Sequence, residues 1–335
     1  MTIFHLLNDF SGSTSIINDL LNFNKKKINV VTSKSVGRIN FSNIKSYNDY
    51  IYVSSFWRKV FMLLKVYSKT SYYCLFSAEK IILSTILFAP VALLIRKKNI
   101  SLYLMEMQHG PKFIFKFLIF LLRNSSVKIY VLSNYMKTEL NLPKSLVLYP
   151  SLREEFQLAN INSLDSSRSN VLFVASFKKY KGWLIFTKVS NLFNNFKFKM
   201  ILSHQENNDP IISDFKGRVL FNEKNMVPFL KESDVVCNLS IPSQWKETLG
   251  LTILEAMCLG KIVICPKAGA FTEYIVDGEN GFLLHDVNAL NFEICLNKIS
   301  KLSPDQITKI KINAIKTAEY FEYNNRQLLI KKEIL

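Results

Sequence analysis

The sequence predicts an α/β protein made of two doubly wound domains with parallel sheets, and three observations support this. The length of 335 residues exceeds that of one ordinary domain. The composition is 49% hydrophobic and 13% aromatic, which is enough to fill two cores. Short apolar runs rich in β-branched residues alternate with longer helical patterns, as in parallel sheets that are covered on both faces.

The predicted strands are apolar runs of six or seven residues. They cover residues 2–7, 28–33, 127–133, 171–176, 198–203, 234–240 and 261–266. The longest apolar run, 81–95, contains a proline and is shorter than the roughly 20 residues needed to span a bilayer. We therefore expect it to form a buried strand that turns into a helix.

A polar stretch rich in Ser and Asn, residues 160–170, indicates a linker between the two domains. The predicted organisation is accordingly an N-terminal domain over 1–150, a linker over 151–170 and a C-terminal domain over 171–318. Residues 319–335 form a terminal segment that is considered below.

Positive charge is concentrated in the first half of the chain. Residues 1–150 carry 20 Lys and Arg against 6 Asp and Glu, whereas the remaining residues carry 23 against 20. Such a half is expected to be attracted to an anionic surface, unless its lysines serve only to keep the domain in solution. No nucleic-acid reading motif accompanies the charge, so we expect no nucleic-acid partner.

Two stretches of the first half, residues 57–70 and 111–128, combine aromatic residues and leucines with Lys or Arg. This composition is typical of a helix that lies on an anionic membrane interface. The alternative is an ordinary helix that faces the core and carries basic residues on its outer side.

The cysteines are odd in number and scattered, with no C-x-x-C pair and no histidine at metal-ligand spacing. We expect reduced, mostly buried thiols in a cytoplasmic protein, and no bound metal. The first residues show no basic region ahead of an apolar run, which argues against a secretory signal. The five cysteines are Cys74, Cys237, Cys258, Cys265 and Cys295.

Two glutamates, Glu247 and Glu255, lie eight positions apart on either side of Gly250. A helix that begins near residues 248–251 would direct free backbone N–H groups and its positive dipole end towards an anion. With Glu247 in the preceding loop, each carboxylate could accept hydrogen bonds from hydroxyl groups that flank a diphosphate. A nucleotide-sugar has this layout, although a solvated helix face also supplies such pairs of glutamates.

The segment 241–260 resembles the Glu-x(7)-Glu motif of the family 4 retaining glycosyltransferases, the glycosyltransferase group 1 enzymes. This resemblance implies two facing Rossmann-like domains, the GT-B architecture, with the active site in the cleft between them. It also implies that Glu247 is the catalytic carboxylate at the donor sugar and that Glu255 binds ribose. The matching residues are Pro242, Ser243, Glu247, Gly250, Leu251, Leu254, Glu255, Ala256, Met257 and Gly260.

Backbone groups on both sides of the motif complete the donor site that the resemblance implies. Thr248, Leu249, Gly250 and Leu251 would lie at the diphosphate. Residues 261–284 resemble the strand, glycine-rich turn and helix of the family. The donor-binding residues implied in that turn are Gly269, Ala270 and Phe271.

Residues 171–183 resemble the strand and Lys-Gly loop of the same family, and Lys181 falls on its lysine, which implies a contact with the donor phosphates. Ser176 occupies the donor-binding position at which the family has an arginine. One phosphate cation is therefore missing, unless Lys178 or Lys179 replaces it.

The resemblance is weaker in the N-terminal half. Gly12 and Ser13 lie where a glycine turn would approach the donor and acceptor, but a plain helix cap fits them equally well. Glu106 aligns with a His-Glu pair on the acceptor side, where Met105 replaces the histidine. His109 could take over its role or cap the next helix. The terminal segment 319–335 resembles a helix that crosses back to the N-terminal domain.

These patterns together predict a retaining glycosyltransferase of the hexosyltransferase type that uses a nucleotide-diphosphate sugar and needs no cofactor or metal. The charge of the first half suggests a lipid-linked saccharide acceptor at an anionic membrane. We therefore expect peripheral binding to the inner face of the plasma membrane and a role in bacterial O-antigen, capsule, lipopolysaccharide or exopolysaccharide synthesis.

Two alternatives remain open at the level of the sequence. One is a sugar-nucleotide epimerase or phosphorylase of the same fold, although phosphorolysis would require a second anion site. The other is a non-catalytic protein that binds anionic membranes and carries a degenerate sugar-nucleotide site.

Overall fold

The computed structural model of the chain describes residues 1–5, 29–33, 44–47, 56–95, 97–107, 111–203 and 214–334. The chain divides into two compact units. The first contains Met1–Pro150 and Gln327–Leu335, and the second contains Ser151–Arg326. The segment 151–170 is thus part of the second unit.

In the described part of the first unit, seven parallel strands form one sheet in the order β3-β2-β1-β4-β5-β6-β7. The order reverses direction beside β1, as in doubly wound sheets. The strands are β1 (Thr2–His5), β2 (Asn29–Ser33), β3 (Ile44–Tyr47), β4 (Ile81–Ser84), β5 (Ile100–Leu104), β6 (Lys128–Val131) and β7 (Leu146–Val147).

Helices of the first unit pack beside this sheet. The apolar run 81–95 forms β4 and then a helix, as predicted from its sequence. In the described residues the helices are α1 (Phe56–Phe76), α2 (Ala89–Ile95), α3 (Lys112–Arg123) and α4 (Asn134–Glu139). None of the helices in these described ranges, or in those of the second unit, is long and apolar enough to cross a membrane.

The sheet of the second unit has six parallel strands among its described residues, in the order β10-β9-β8-β11-β12-β13. The predicted fold class, two α/β units with parallel sheets, is confirmed. The strands are β8 (Asn170–Ser176), β9 (Lys197–Ser203), β10 (Arg218–Phe221), β11 (Val235–Cys237), β12 (Ile262–Pro266) and β13 (Phe282–Leu284).

The core of the second unit is rich in aromatic side chains. Trp183, Phe186 and Phe292 are each at most 1% exposed, and Phe186 stacks on Phe173 with ring centroids 5.1 Å apart. These side chains belong to one cluster that also includes residues of β8, β9, β11 and β12. Burying an aromatic side chain removes 150–250 Å² of surface from water, about 1.5–3 kcal/mol for a side chain such as Phe. The sheet that supports the loops described below is therefore firmly packed.

Helices of the second unit surround this core. Within the described residues they are α5 (Trp183–Ser190), α6 (Val227–Glu232), α7 (Leu251–Cys258), α8 (Phe271–Tyr274), α9 (Ala289–Ser300) and α10 (Pro304–Glu319). The last helix, α11 (Tyr323–Ile334), begins in the second unit and continues into the first from Gln327 onwards. Ser303 and Gln306 form a capping box at the start of α10. The last helix starts at Tyr323, later than the predicted segment boundary at 319, because α10 extends to Glu319.

Several strands were not predicted from the sequence. Four of them, β3, β7, β10 and β13, are the edge strands of the two sheets. Edge strands are short and need not be apolar on both faces, so they lack the continuous apolar run that marks a central strand. Arg218, an exposed residue at the start of β10, illustrates this.

Candidate functional site

The candidate site of the second unit lies at the carboxyl ends of two neighbouring strands. β8 and β11 pair in parallel at the point where the strand order changes direction. Ligands of open α/β sheets bind in the crevice at such a point, because the loops leave the two strands in opposite directions. The loop after β8 carries Lys181, and the loop after β11 carries Glu247.

The carboxylate of Glu247 is surrounded by donors. Its Oε1 atom lies 2.5 Å from Nζ of Lys181, 3.1 Å from Oγ of Ser240 and 3.3 Å from Nδ2 of Asn238. The indole of Trp245 donates a further hydrogen bond to the same side chain. Glu247 is thus held in one orientation by groups from three parts of the unit's sequence.

Burial works to raise the pKa of Glu247, but the charge of Lys181 and the hydrogen bonds from Lys181, Asn238 and Trp245 outweigh it. The pKa of this carboxyl group consequently lies below its ordinary value. Glu247 is ionised at neutral pH and can act as a hydrogen-bond acceptor or as a fixed negative charge.

Two aromatic side chains flank the cation of this pair. Nζ of Lys181 lies 4.6 Å from the ring centroid of Trp245, within the range of a cation–π contact. Trp245 in turn stacks on Tyr180, with centroids 5.5 Å apart and planes inclined by 19°. Trp245 as a whole is 40% exposed.

The helix α7 begins directly after the predicted loop, so Glu247 lies in the loop and Glu255 in the helix. Gly250 is the N-terminal cap residue and has a φ angle of 82°, a left-handed conformation that favours glycine. No side chain caps this end of α7. Its first backbone N–H groups are therefore not satisfied by a cap, which is the condition for binding an anion.

The turn that begins at Gly269 packs directly against the loop of Glu247. Ala270 donates its backbone N–H to the carbonyl oxygen of Glu247 at 3.0 Å. A Cβ atom at Gly269 would lie only 2.7 Å from that same oxygen. Leu249, Ala270 and Phe271 are at most 2% exposed as whole residues, so this turn is packed inside the unit.

Glu255 is 2% exposed and is paired with an arginine that was not predicted to belong to the site. Nε of Arg153 lies 2.7 Å from Oε1 of Glu255, and Nη2 lies 3.0 Å from Oε2. Burial raises the pKa of Glu255 above its ordinary value, and Arg153 opposes this shift by stabilising the charged form.

The position at which the family has an arginine is the last residue of β8, Ser176. Its carbonyl oxygen accepts the backbone N–H of Lys178 at 2.7 Å. Lys178 and Lys179 are exposed and precede Lys181 in the same turn. A replacement of the missing cation by one of them stays a prediction.

The candidate of the first unit that the structure describes is Glu106, which follows β5. Its carboxylate accepts the backbone N–H of Ile86 at 2.6 Å and that of Met105 at 3.0 Å. Burial raises the pKa of Glu106 to about 7 in spite of these hydrogen bonds. The other candidates of this unit, Gly12, Ser13 and His109, lie outside the described residues.

Sequence reasoning missed Arg153, Asn238 and Ser240. None of them belongs to a spacing pattern with its glutamate, and Arg153 lies 102 residues from Glu255. Trp245 is different, because a tryptophan two positions before a candidate carboxylate was visible in the sequence. Its indole N–H gave a reason to expect a hydrogen bond.

Comparison with known proteins gives the following similarities. Residues 214–327 match the family of glycosyl transferases group 1. The trehalose synthase of Pyrococcus horikoshii is 27% identical over 217 residues, which is 55% of this chain and 51% of the relative. A protein named "Uncharacterized 41.2 kDa protein in cps region", from Klebsiella pneumoniae, is 28% identical over 136 residues, or 39% of this chain and 37% of the relative. The chain thus matches these curated relatives over about half of their length or less.

Among solved structures, Alr3699/HepE of Anabaena in complex with UDP-glucose superimposes with a TM-score of 0.77 at 15% identity, covering 100% of this chain and 99% of that one. At this level of identity the likeness shows the fold. Residues 214–327 thus match the family of glycosyl transferases group 1, and the chain that contains them has the GT-B fold.

Proposed function

We propose that the protein is a retaining glycosyltransferase that moves a sugar from a nucleotide-diphosphate donor to a lipid-linked saccharide. The observation that carries this proposal is the Lys181–Glu247 pair at the switch point of the second sheet, directly before the uncapped start of α7. A cation, a helix N-terminus and an ionised carboxylate are the groups that a sugar diphosphate requires. The group 1 match and the fold shared with a UDP-glucose complex support the same donor class.

The charges suggest how these groups act. When the bond between the anomeric carbon and the diphosphate breaks, negative charge builds up on the leaving phosphate and positive charge on the sugar. Lys181 and the backbone N–H groups at the start of α7 would stabilise the phosphate. Glu247 would contact the donor sugar and stabilise its positive charge, while Glu255 would hold the ribose. Because these groups are fixed before the substrate binds, no reorganisation is needed during the reaction.

Donor binding can be tested with UDP-, GDP-, ADP- and CMP-sugars in a thermal unfolding assay. A donor present at 100 times its dissociation constant should stabilise the protein by about 2.7 kcal/mol. The bound donor is then used in a transfer assay, and NMR of the product reports the anomeric configuration. Transfer with retained configuration supports the proposal, whereas inverted configuration or a failure of all donors to bind contradicts it.

The role of Glu247 can be separated from donor binding by Glu247→Gln. This variant should lose turnover and retain most of its nucleotide affinity, because the amide keeps the shape but not the charge. Glu279→Gln is the matched control, since Glu279 is an exposed carboxylate of the same unit. Equal turnover in the two variants would refute the assignment.

We further propose that the acceptor is presented by an anionic membrane, and the exposed side chains of the first unit support this. In α3 the aromatic residues Phe113, Phe117 and Phe120 follow one another at helical spacing and are 73%, 59% and 56% exposed. The opposite side of the same helix is buried through Phe115, Ile119 and Leu122. The buried face already anchors the helix, so apolar side chains on the opposite, exposed face do not stabilise the fold in water.

A similar stripe runs along α1. Trp57, Phe61, Leu64, Tyr72 and Phe76 lie on one side at helical spacing, and each is at least 59% exposed. Helix α2 contacts both α1 and α3, and its Leu94 is 81% exposed. An apolar surface of this kind marks an interaction site.

The charges around this apolar surface favour an anionic membrane as its partner. Exposed lysines occur on the same two helices, Lys65 and Lys69 on α1 and Lys112 and Lys116 on α3. Lysines beside exposed aromatic rings suit a membrane interface with acidic lipid, because the rings enter the head-group region while the ammonium groups pair with phosphates.

Vesicle sedimentation tests the membrane proposal. The protein should pellet with vesicles that contain acidic phospholipid, less so with zwitterionic vesicles and less so at high salt. Phe117→Ala should weaken binding, whereas Leu192→Ala should not, because Leu192 is equally exposed but lies in the second unit. A protein that stays in the supernatant at both low and high salt contradicts the proposal.

A membrane-bound saccharide acceptor is consistent with bacterial surface-polysaccharide assembly at the cytoplasmic face of the plasma membrane. The similarity to the Klebsiella pneumoniae protein of the cps region supports this role. Transfer to saccharide-lipid extracted from the same cells, compared with transfer to free saccharide, tests it. Equal rates with both acceptors would speak against a lipid-linked substrate.

A further inference from the structure

The arginine that pairs with Glu255 belongs to a segment that is tied to the same helix. Phe156, three residues after Arg153, is 1% exposed, and its carbonyl oxygen accepts a hydrogen bond from Sγ of Cys258 at 3.7 Å. Ala159 donates its backbone N–H to the carbonyl oxygen of Cys258 at 2.9 Å. Residues 153–159 are therefore fastened to the end of α7, the helix that carries Glu255.

The Arg153 side chain has three neighbours that fix its orientation. Its guanidinium carbon lies 4.8 Å from the ring centroid of Phe156, so the group stacks on a buried ring. Nη1 lies 3.1 Å from the exposed carboxylate of Glu155. Nε and Nη2 donate the two hydrogen bonds to Glu255. Because three neighbours hold the Arg153 side chain, we treat it as a fixed part of the site.

The two hydrogen bonds from Arg153 use only some of the acceptor positions of the Glu255 carboxylate. A carboxylate offers about four lone-pair positions, and the bidentate arginine occupies one on each oxygen. A buried carboxylate without a partner would take up a proton and lose much of its strength as an acceptor. Arg153 favours the charged form of Glu255, and its two hydrogen bonds leave one lone pair on each oxygen without a partner among the described residues.

We propose that Arg153 is a positioning residue of the donor site: it holds the Glu255 carboxylate ionised and oriented so that the remaining lone pairs accept the 2′- and 3′-hydroxyl groups of the donor ribose. This inference rests on the proposed nucleotide-sugar donor and adds a residue to its site. Arg153 acts only through Glu255.

The test compares ribose with deoxyribose. UDP, GDP, ADP and CDP are each titrated into the protein by calorimetry, and the tightest ligand is then compared with its 2′-deoxy form. In the unchanged protein the ribose form should bind about tenfold or more tightly, because Glu255 accepts a charge-assisted hydrogen bond from the 2′-hydroxyl.

In Arg153→Ala the ratio of the affinities for the ribose and 2′-deoxy forms should fall towards one, and the same is expected in Glu255→Gln. The double variant should lose no more of this preference than either single variant. Arg153→Lys should restore the preference in part, because a lysine supplies the charge but not the paired donors. Arg218→Ala is the control for the lost positive charge, since Arg218 is an exposed residue of the same unit. It should keep the full preference.

Several results would overturn the proposal. An Arg153→Ala protein that loses affinity for both forms equally indicates a purely structural role. Tighter binding in this variant indicates that the arginine competes with ribose. If Arg153→Ala fails to fold, the preference of Arg153→Lys for the ribose form is compared with that of the unchanged protein. An unaltered preference in Arg153→Lys would contradict a role for the two parallel hydrogen bonds from Arg153 to Glu255. If no nucleotide binds the unchanged protein, the proposed function fails, and the inference fails with it.

Discussion

Lys181 and Glu247 form the central contact of the candidate site, with Nζ and Oε1 2.5 Å apart and both side chains less than one fifth exposed. Lys181 favours the charged form of Glu247. A donor phosphate that approaches Lys181 also approaches the negative charge of Glu247, because the two side chains are in contact. If the proposed donor binds here, Lys181 serves two anions, and its removal should affect both donor binding and the ionisation of Glu247.

Lys181→Met should lower kcat/KM by at least about 100-fold at neutral pH, similar to the removal of one transition-state donor. Without the cation, burial is opposed only by neutral donors, so the pKa of Glu247 should rise. The remaining activity should then increase with pH over a range in which the unchanged protein shows no such increase. The pH profile of kcat/KM for both proteins is the measurement.

Lys188→Met controls for the loss of one charge, because Lys188 is exposed on α5. It should leave the profile unaltered. A Lys181→Met protein with the profile of the unchanged enzyme would show that Glu247 does not depend on this cation.

Gly269→Ala should destabilise the protein and also reduce activity. The φ angle of Gly269 is 70°, and a Cβ atom would lie 2.7 Å from the carbonyl oxygen of Glu247. Gly278 has a similar φ angle, 78°, but the nearest atom to its Cβ position is Nζ of Lys298 at 4.0 Å. Gly278→Ala thus carries only the conformational cost of about 1–2 kcal/mol.

The free energy of unfolding from denaturant titration separates these two costs. Gly269→Ala should lose about 1–3 kcal/mol more than Gly278→Ala, because of the clash with the backbone. Its kcat should also fall, since the loop of Glu247 must move. Equal losses in the two variants would mean that the turn and the loop are not coupled.

The stability of the protein should depend on Glu106 between about pH 4.5 and pH 7. The pKa of Glu106 is raised to about 7 from 4.5, so the folded protein holds this proton more tightly than the unfolded chain. The free energy of unfolding should therefore fall as pH rises through this range, by up to about 3 kcal/mol from this group. Glu106→Gln removes the titration and should flatten this part of the curve.

Denaturant titrations of both proteins at pH 5 and pH 7.5 provide the measurement. The decrease in the free energy of unfolding from pH 5 to pH 7.5 should be larger in the unchanged protein than in Glu106→Gln. The contributions of other titrating groups are the same in both proteins and cancel in the comparison. Parallel pH dependence in the two proteins would contradict the raised pKa.

The cysteines should be inert towards thiol reagents in the folded protein. All five are buried and free, and burial raises the pKa of Cys74 to about 11 and those of Cys258 and Cys295 to about 12. Reaction requires the thiolate, so modification at pH 8 should proceed only as fast as the protein opens. A colorimetric thiol assay with and without denaturant checks this, and a thiol that reacts within seconds in the folded protein would contradict it.

The sequence allowed the central strands except β5, and one half of the candidate site, to be predicted. Glu247, Gly250 and Lys181 were found because each belongs to a local pattern, and local patterns survive in a single sequence. The Arg153–Glu255 pair could not be found in this way, because it depends on tertiary packing between segments 102 residues apart. The edge strands were missed for a related reason, since their stability comes from a neighbouring strand more than from their own apolar content.

The long separation of the paired residues also bears on how the site arises during protein synthesis. Lys181 precedes Glu247 by 66 residues, and Arg153 precedes Glu255 by 102. As the chain leaves the ribosome, both cations emerge well before their carboxylates, and contacts of such high sequence separation form late. A nascent chain that stops before Glu247 therefore contains both cations but neither carboxylate of the candidate site. The candidate site should therefore form only after the motif around Gly250 and the strands that follow it, β12 and β13, have been synthesised.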